Sequence, residues 1–402
     1  MNKHPQAARV FWDSGGLWSL MAWEACTQAG LALSPITAAQ IRAGQLHETK
    51  VLMVPGGWPA LKRDALGREG LEAVRRFVET GGVYFGLCGG AGLALDVEEG
   101  LGLAPLGRAA PEERLPNLSG PVFCTPGPKA QQHPLWQGLI PPVPLPIWWP
   151  SQFEAVNQSR VQVLARYKGP APGMYSADLE VNGVSPQEWE GLEKDYGMRL
   201  NPASLQGLPA VIQASCGKGT VLLSYLHFDT PGDPNGKRVL QNLWQEWLDQ
   251  EPRVLGVQPK PPLAGPARTA ADLGDQAQAL WDQGWRLGLW RPRHPAMPLW
   301  RRGARGLEFW TLLRLTRALS GLISSHPSTE ATLEHLQEVL SPIFMLGPVV
   351  LSAQAARLEG NAPDKADEAA EQCWFAEPRR VNGELALALK ALEASLLQLI
   401  GN

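Results

Sequence analysis

The sequence contains few cysteines, and their spacing does not join them into one structure. Its five cysteines are odd in number, widely scattered and free of CxxC spacing: Cys26, Cys88, Cys124, Cys216 and Cys373. This scatter argues against a disulfide framework or a zinc site, and it is typical of a reducing compartment. We expect neither a metal nor a cofactor.

The sequence also lacks a strong charge of one sign and a long hydrophobic run. The formal net charge is -3 over 402 residues, which gives no reason to expect nucleic acid or an anionic membrane as a partner. The first residues show no apolar segment typical of a secretory signal. No apolar run has the length needed to span a bilayer. We therefore expect a cytoplasmic protein that binds neither nucleic acids nor membranes.

The most informative segment present is residues 83–95. It begins as an apolar, β-prone run, continues as Gly86-Leu87-Cys88-Gly89-Gly90, and ends in small residues compatible with a helix. This order predicts a strand, a tight turn and a helix, with a cysteine at the tip of the turn, where glycine tolerates the crowding. A thiol at the start of a helix is favoured as thiolate. The alternative is a buried structural cysteine in an ordinary strand–helix loop.

Two further segments extend this pattern to a recognisable order of motifs. An apolar strand, 51–54, ends in Pro55-Gly56-Gly57, and a later strand ends in His227-Phe228-Asp229. The chain thus contains Pro-Gly-Gly, then the turn at residues 86–90 around Cys88, which we call the elbow, and then His-x-acid. With these motifs in this order, the chain resembles the class I glutamine amidotransferase-like superfamily over about residues 8 to 250. Within it the chain looks most like the N-terminal domain family of biotin–protein ligase. That closer similarity rests on residues 55–57, 84–90, 100–103 and 147–153.

The resemblance implies a cysteine-dependent amidohydrolase or amidotransferase that acts on a small-molecule amide or acyl substrate. Cys88 would be the nucleophile, His227 would accept its proton, and Asp229 would fix the imidazole tautomer. The family usually has glutamate at the last position, so the reach of the shorter Asp229 is in question. Backbone N–H groups of Gly57 and Gly89 would bind the oxyanion, with Gly56 beside them.

Each of these residues also has an ordinary structural interpretation. His227 could be a core histidine at a strand end, and Asp229 could start a turn. Asp13 is a secondary candidate, which could perturb the Cys88 thiol, bind a substrate amine or cap the helix that begins near Trp18. The competing function is a non-catalytic module that binds a ligand or partner through a degenerate site. No ATP-binding motif and no biotin-ligase catalytic motif is visible, so an amidotransferase would need a separate synthetase.

The order of elements predicts an α/β fold for residues 1–250. Strands at 8–13, 31–36, 51–54 and 83–85 alternate with helices at 18–29, 37–43 and 69–79. This alternation predicts a doubly wound, mostly parallel, flavodoxin-like sheet with its site at the carboxyl ends of the strands. Residues 108–150 read as proline-rich and irregular. We expect an antiparallel addition to the sheet from residues 153–156 and 161–166. We expect a loop near the site entrance at residues 169–207 and a helix that closes the domain at residues 237–247.

Beyond this domain the composition changes twice. Residues 251–270 contain five prolines and predict a linker. Residues 271–402 have helical periodicity and no strand alternation, which predicts a separate all-α bundle of no recognised family. The predicted helices are 271–289, 307–324, 328–340, 347–358, 364–375 and 381–400. This bundle would assemble the complex or contact a synthetase.

Arginine and tryptophan alternate along residues 281–317 of the predicted bundle. Such a cluster can bind single-stranded nucleic acid or other anions by stacking and charge, and it can also form a membrane-surface helix. The interpretation that we favour is an ordinary interface, with the tryptophans packed on the first domain and the arginines paired with its acidic surface.

Overall fold

The computed structural model describes residues 7–13, 15–97, 100–154, 161–252, 266–323, 330–375 and 383–401. The chain divides into two compact units, Met1–Leu255 and Gly256–Asn402. Most of the predicted linker, residues 253–265, lies outside the described residues, and a helix begins at Pro266. The final residues of the predicted linker are therefore helical.

The first unit alternates strands and helices in its first hundred residues and then becomes strand-rich. In chain order its elements are β1 Ala8–Phe11, α1 Leu17–Gln28, β2 Ser34–Ile36, α2 Ala38–Arg42, β3 Val51–Val54, α3 Pro59–Glu79, β4 Val83–Leu87, α4 Gly89–Ala94, β5 Leu118–Pro126, β6 Val143–Trp148, β7 Gln162–Pro170, β8 Tyr175–Ser176, β9 Leu179–Glu180, α5 Trp189–Tyr196, β10 Pro209–Cys216, β11 Gly219–Ser224 and α6 Pro234–Leu248. Short 3-10 turns lie at Pro111–Glu113, Pro134–Trp136, Val181–Gly183 and Pro202–Leu205.

These strands form one sheet with a parallel half and an antiparallel half. The parallel half has the order β2–β1–β3–β4–β11, and the antiparallel half continues as β10–β7–β5–β8–β9, with β6 also paired to β5. The expectation of a mostly parallel sheet is therefore wrong, because every pairing beyond β11 is antiparallel. The cause is local: Gly217 and Lys218 alone join β10 to β11, and so short a turn permits only an antiparallel hairpin.

Two segments that read as irregular contribute to the antiparallel half. The proline-rich stretch 108–150 contains β5 and β6. Among the described strands β6 pairs with β5 alone, so Pro144 and Pro146 need no second hydrogen-bonded neighbour there. Residues 169–207, predicted as a loop, contain β8, β9 and α5. The predicted antiparallel addition is present at β7. Of residues 153–156, Phe153 forms a single bridge to Arg108, and 155–156 lie outside the described residues.

The core of the first unit lies between one face of the sheet and the helices α2, α3 and α4. Buried side chains of the strands, such as Phe11, Val54 and Tyr84, pack there with Val74 and Phe77 of α3. Helix α3 is longer than predicted and is interrupted by Gly67, whose φ of 61° is outside the helical region. This packing fixes the strand ends, and it is at these ends that the candidate residues lie.

The second unit is mainly helical but not all-α. Its elements are α7 Pro266–Arg286, β12 Trp290–His294, β13 Met297–Trp300, α8 Gly306–Ile323, α9 Glu330–Leu358, α10 Lys365–Phe375 and α11 Glu384–Gly401. The antiparallel hairpin β12–β13 contradicts the strictly all-α prediction. The helices predicted at 328–340 and 347–358 are one helix, α9, which contains Pro342 and Pro348. Its many buried apolar residues offset the lost hydrogen bonds.

Tryptophans of the second unit pack against one another. The rings of Trp281 and Trp290 stack at 4.5 Å, Trp310 lies 5.0 Å from Trp281, and the Arg314 guanidinium lies over Trp310 at 5.6 Å. Trp281 and Trp290 are buried. These side chains therefore pack against one another, and the packing of tryptophans on the first domain remains a prediction.

One described helix, α9, is long and apolar enough to cross a membrane by length and composition. Core helices of soluble proteins meet the same test, and Leu336, Leu340, Val350 and Leu351 of α9 are buried in the second unit.

Candidate active site

Cys88 lies directly after β4, in the strand–turn–helix that the sequence predicts. Its φ is 48°, a conformation that a non-glycine residue adopts only at a cost of about 1–3 kcal/mol. The backbone holds it there, because the Cys88 N–H donates to the Ser224 carbonyl at 2.7 Å. The side chain is half-buried, and the helix that follows, α4, has six residues. Cys88 is thus a strained and reachable thiol at a strand end.

The glycines around Cys88 allow two segments to come into backbone contact. A Cβ on Gly89 would lie 1.7 Å from the Gly57 carbonyl oxygen, and a Cβ on Gly90 would lie 1.9 Å from the carbonyl oxygen of Val54. No side chain fits at either position. The structure therefore brings together Gly57 and Gly89, the two predicted oxyanion donors, which are far apart in the sequence.

His227 and Asp229 form a buried pair just after β11. His227 Nδ1 lies 2.8 Å from Asp229 Oδ1, and both side chains are fully buried. Asp229 therefore reaches the imidazole in spite of its shorter side chain. Burial by itself lowers the pKa of His227, but the Asp229 carboxylate outweighs it and, with Cys88, raises that pKa above its usual value. Asp229 thus contacts the ring nitrogen of His227 that it is predicted to orient.

The parallel pairing of β4 and β11 places Cys88 and His227 at the same edge of the sheet. Leu87 is in register with Ser224, so the two strands end side by side. The Cys88 thiol is close enough to raise the His227 pKa, while His227 Nε2 is buried and makes no hydrogen bond of normal geometry with any described residue. A Cβ on Gly56 would lie 3.0 Å from His227 Cε1. The predicted residues Cys88, His227, Asp229, Gly56, Gly57 and Gly89 are thus grouped in one place.

Tryptophans that the sequence did not single out line this group. The Trp18 ring lies 5.1 Å from the His227 ring, and Trp149 meets Trp18 edge-on at 6.3 Å. The Trp148 carbonyl oxygen lies 4.0 Å from Cys88 Sγ. Trp18 reads in the sequence only as part of an amphipathic helix, so no local signal marks it. The aromatic segment 147–153 was noted in the sequence only as part of the family resemblance.

The secondary candidate Asp13 has a structural partner. Its carboxylate accepts a hydrogen bond from the Ala38 N–H and so caps α2 rather than α1, the helix that contains Trp18. A second charged residue, Lys62, is fully buried nearby: its Nζ would lie 3.8 Å from a Cβ on Gly57. No sequence pattern indicates Lys62, because it occupies an otherwise polar stretch of α3. In the part of the chain that the structure describes, no three His, Cys, Asp or Glu side chains form a metal-binding group.

No family model matches the chain, and no curated protein matches it. Solved structures do match at low identity. A Thermoplasma acidophilum protein described as a candidate component of GMP synthase is 12% identical, with a TM-score of 0.37, over 60% of this chain and 93% of that one. A ThuA-like protein from Bacteroides uniformis is 13% identical, with a TM-score of 0.41, over 62% and 95% of the two chains.

A cytoplasmic protein from Salmonella typhimurium is also similar, with 12% identity and a TM-score of 0.37 over 60% of this chain and 99% of that one. Similarities of this strength do not assign a family or an activity to the chain. The function has to be argued from the site.

Proposed function

We propose that the first unit is a member of the class I glutamine amidotransferase-like superfamily and acts on an amide or acyl substrate through Cys88, His227 and Asp229. The observation that carries the proposal is the buried His227–Asp229 pair at 2.8 Å beside a thiol held at a φ of 48°. Strained backbone of this kind is concentrated at functional sites. The order of the three motifs supports the superfamily, and the similarity to the biotin–protein ligase N-terminal domain remains a prediction.

The proposed reaction uses Cys88 as nucleophile and His227 as the group that holds its proton. Cys88 Sγ would first give its proton to His227 Nε2 and would then attack the carbonyl carbon of the substrate as the thiolate. The N–H groups of Gly57 and Gly89 would stabilise the negative oxygen that forms. Collapse of this intermediate breaks the bond to the leaving group, which takes the proton from His227. Water or an acceptor amine then releases the acyl group from Cys88.

The first test is the rate of Cys88 alkylation by iodoacetamide against pH, in the wild type and in His227→Asn. Because His227 would stabilise the thiolate, the wild type should react at lower pH than the variant. Mass spectrometry of the Cys88 peptide separates this thiol from the other four cysteines. Identical profiles in the two proteins would contradict a working Cys88–His227 pair.

A second test concerns the reaction. Purified protein, alone and with fractions of cell lysate, should release ammonia from glutamine if the site is a glutaminase, and Cys88→Ala should abolish the release. Lysate is included because a synthetase partner would be a separate protein. Ammonia release that Cys88→Ala does not change would exclude the glutaminase form of the proposal.

The second candidate function is a non-catalytic binding module. Its support is the full burial of His227, which is also typical of a structural histidine. In that case the second unit would assemble the complex, and Cys88→Ala would leave partner recovery in a pull-down unchanged. Loss of the partner in Cys88→Ala would count against the module. Cytoplasmic localisation remains a prediction for either function.

A further inference from the structure

A group of polar side chains beside the elbow has buried atoms without hydrogen-bond partners. These atoms are Arg108 Nε, Arg114 Nε, Ser151 Oγ and Tyr225 Oη, and none makes a hydrogen bond of normal geometry with a described residue. We refer to these four residues as the polar cluster. Buried polar atoms are nearly always hydrogen-bonded, so a group of exceptions points to water, an ion or a ligand.

The backbone brings the polar cluster together from three segments. Arg108 forms a bridge with Phe153, and Gln152 Oε1 accepts a hydrogen bond from the Leu115 N–H at 2.6 Å, so residues 108–115 run beside 151–153. The Phe153 ring lies 4.4 Å from the Tyr225 ring. Arg108, Arg114 and Ser151 are half-buried, whereas Tyr225 is fully buried. The polar cluster thus has an accessible side and a buried side.

The polar cluster adjoins Cys88. Tyr225 follows Ser224, whose carbonyl accepts the hydrogen bond from the Cys88 N–H at 2.7 Å. On the other side, a Cβ on Gly92 would lie 2.9 Å from an Arg108 guanidinium nitrogen, and Gly92 is one helical turn beyond Cys88. The electrostatics of Tyr225 agree with this proximity. Burial, and to a smaller extent Cys88, raise the pKa of Tyr225 to about 12, against the opposing effects of Ser151, Arg108 and Arg114.

The charge of the polar cluster is positive. Neither the Arg108 nor the Arg114 guanidinium forms an ion pair, or a hydrogen bond of normal geometry, with a residue that the structure describes. Arg108 also lines a cavity of about 450 Å³, together with Trp58, Arg63 and Gly92, so a ligand can approach its guanidinium. Two guanidinium groups with hydroxyl donors beside them are suited to a carboxylate or a phosphate.

We propose that the polar cluster binds the anionic group of the substrate, so that Cys88 acts on amides or acyl groups that carry a nearby carboxylate or phosphate. This inference rests on the proposed function, and it specifies the substrate class of the same site. It adds a requirement that the three motifs do not contain, because none of the four residues belongs to them.

The test compares two reagents that differ in charge. Iodoacetate is anionic and iodoacetamide is neutral, and the ratio of their rates at Cys88 measures the attraction of an anion to the site. We expect the ratio to fall roughly threefold or more in Arg114→Gln and in Arg108→Gln, because each removes one nearby positive charge. It should also fall in Tyr225→Phe, which deletes only a hydroxyl that makes no hydrogen bond of normal geometry with a described residue. A ratio unchanged in all three variants would overturn the proposal.

Arg68→Gln is the matched control, because it removes the same charge from a side chain that is 89% exposed. Its ratio should equal that of the wild type. Cys26 and Cys124, which are fully buried, should stay unmodified in every variant and so report that the first unit is folded. An equal fall in Arg68→Gln would mean that only the overall charge matters, and it would also overturn the proposal.

A binding measurement separates this proposal from the proposed function. Calorimetry with succinamate, neutral succinamide and inorganic phosphate should show binding of the two anions only, with loss in Arg114→Gln. Binding of succinamate alone would show that the polar cluster is specific for carboxylates. Binding of phosphate alone would show that it is specific for phosphates. No binding of either anion would overturn the inference even if Cys88 is reactive. The converse result is that the anions bind while the pH profile of Cys88 alkylation is the same in the wild type and in His227→Asn. That result would support the polar cluster as a ligand site and contradict the catalytic function.

Discussion

Replacement of Asp229 by asparagine should destabilise the first unit in a way that depends on pH. The change keeps the shape of the side chain and removes the charge that faces the His227 ring, 2.8 Å away in a fully buried site. A hydrogen bond between charged partners contributes about 1.5–3 kcal/mol. We therefore expect Asp229→Asn to lower the free energy of unfolding by about 2 kcal/mol where His227 is protonated.

The direction of the pH dependence follows from the raised pKa of His227. A histidine whose pKa is higher in the folded protein than in the unfolded chain adds stability that is fully present below the unfolded value, about 6.5, and is lost as the pH rises through the folded value. The deficit of Asp229→Asn should therefore be largest near about pH 6 and should shrink as the pH rises well above neutrality.

The assay uses the buried thiols of the first unit as reporters. Cys26 and Cys124 are fully buried and can be alkylated only when the unit opens, so their labelling against urea gives its unfolding free energy without a contribution from the second unit. Asp64→Asn, at a side chain that is 65% exposed, is the control and should have little effect. A deficit that is absent, or constant between acidic and alkaline pH, would refute the assignment of the charged pair.

Three other predictions concern packing and capping. Gly89→Ala should destabilise the first unit by about 3 kcal/mol or more, because the new Cβ would lie 1.7 Å from the Gly57 carbonyl oxygen. Gly191→Ala is the control: its Cβ would have no atom within 4 Å, so thermal melts should show a neutral or stabilising effect. Burial raises the pKa of Asp233, which caps α6, from 3.8 to about 6, so stability should fall as the pH rises through this interval. Asp233→Asn should flatten that slope in urea titrations and keep the cap, and an unchanged slope would contradict the assignment. Trp290→Ala should lower the free energy of unfolding of the second unit by about 3–5 kcal/mol. Amide exchange should then be faster in α7 and α8 and unchanged in residues 83–95. Equal acceleration in the helices and in residues 83–95 would contradict the place of Trp290 in the core of the second unit.

The parallel half of the sheet could be predicted because its signals are local. The apolar strands around Val54 and Phe85 each end in glycines, and strand–helix alternation implies parallel neighbours. The same logic placed Cys88 and His227 at one edge, where the structure has them. Whether these residues are catalytic remains a prediction.

The antiparallel half could not be predicted in the same way. In β6 the prolines Pro144 and Pro146 remove the usual strand pattern, and the pairing with β5 comes from a partner distant in sequence. The polar cluster was missed for a related reason. Arg108 and Tyr225 are ordinary residues in their own segments, and only the assembled sheet places both beside the elbow.

The shared register of β4 and β11 also determines which sequence changes the site can tolerate. Because Leu87 is aligned with Ser224 through main-chain hydrogen bonds, the spacing of Cys88 and His227 does not depend on the side chains at the non-glycine positions of the two strands. Substitutions at those positions can therefore accumulate without separating the pair. An insertion or deletion of one residue within β11 is different, because it would turn every later side chain to the opposite face of the sheet. This strand therefore has to preserve its length and the glycine at position 219, where a Cβ would lie 2.0 Å from the Val78 carbonyl oxygen.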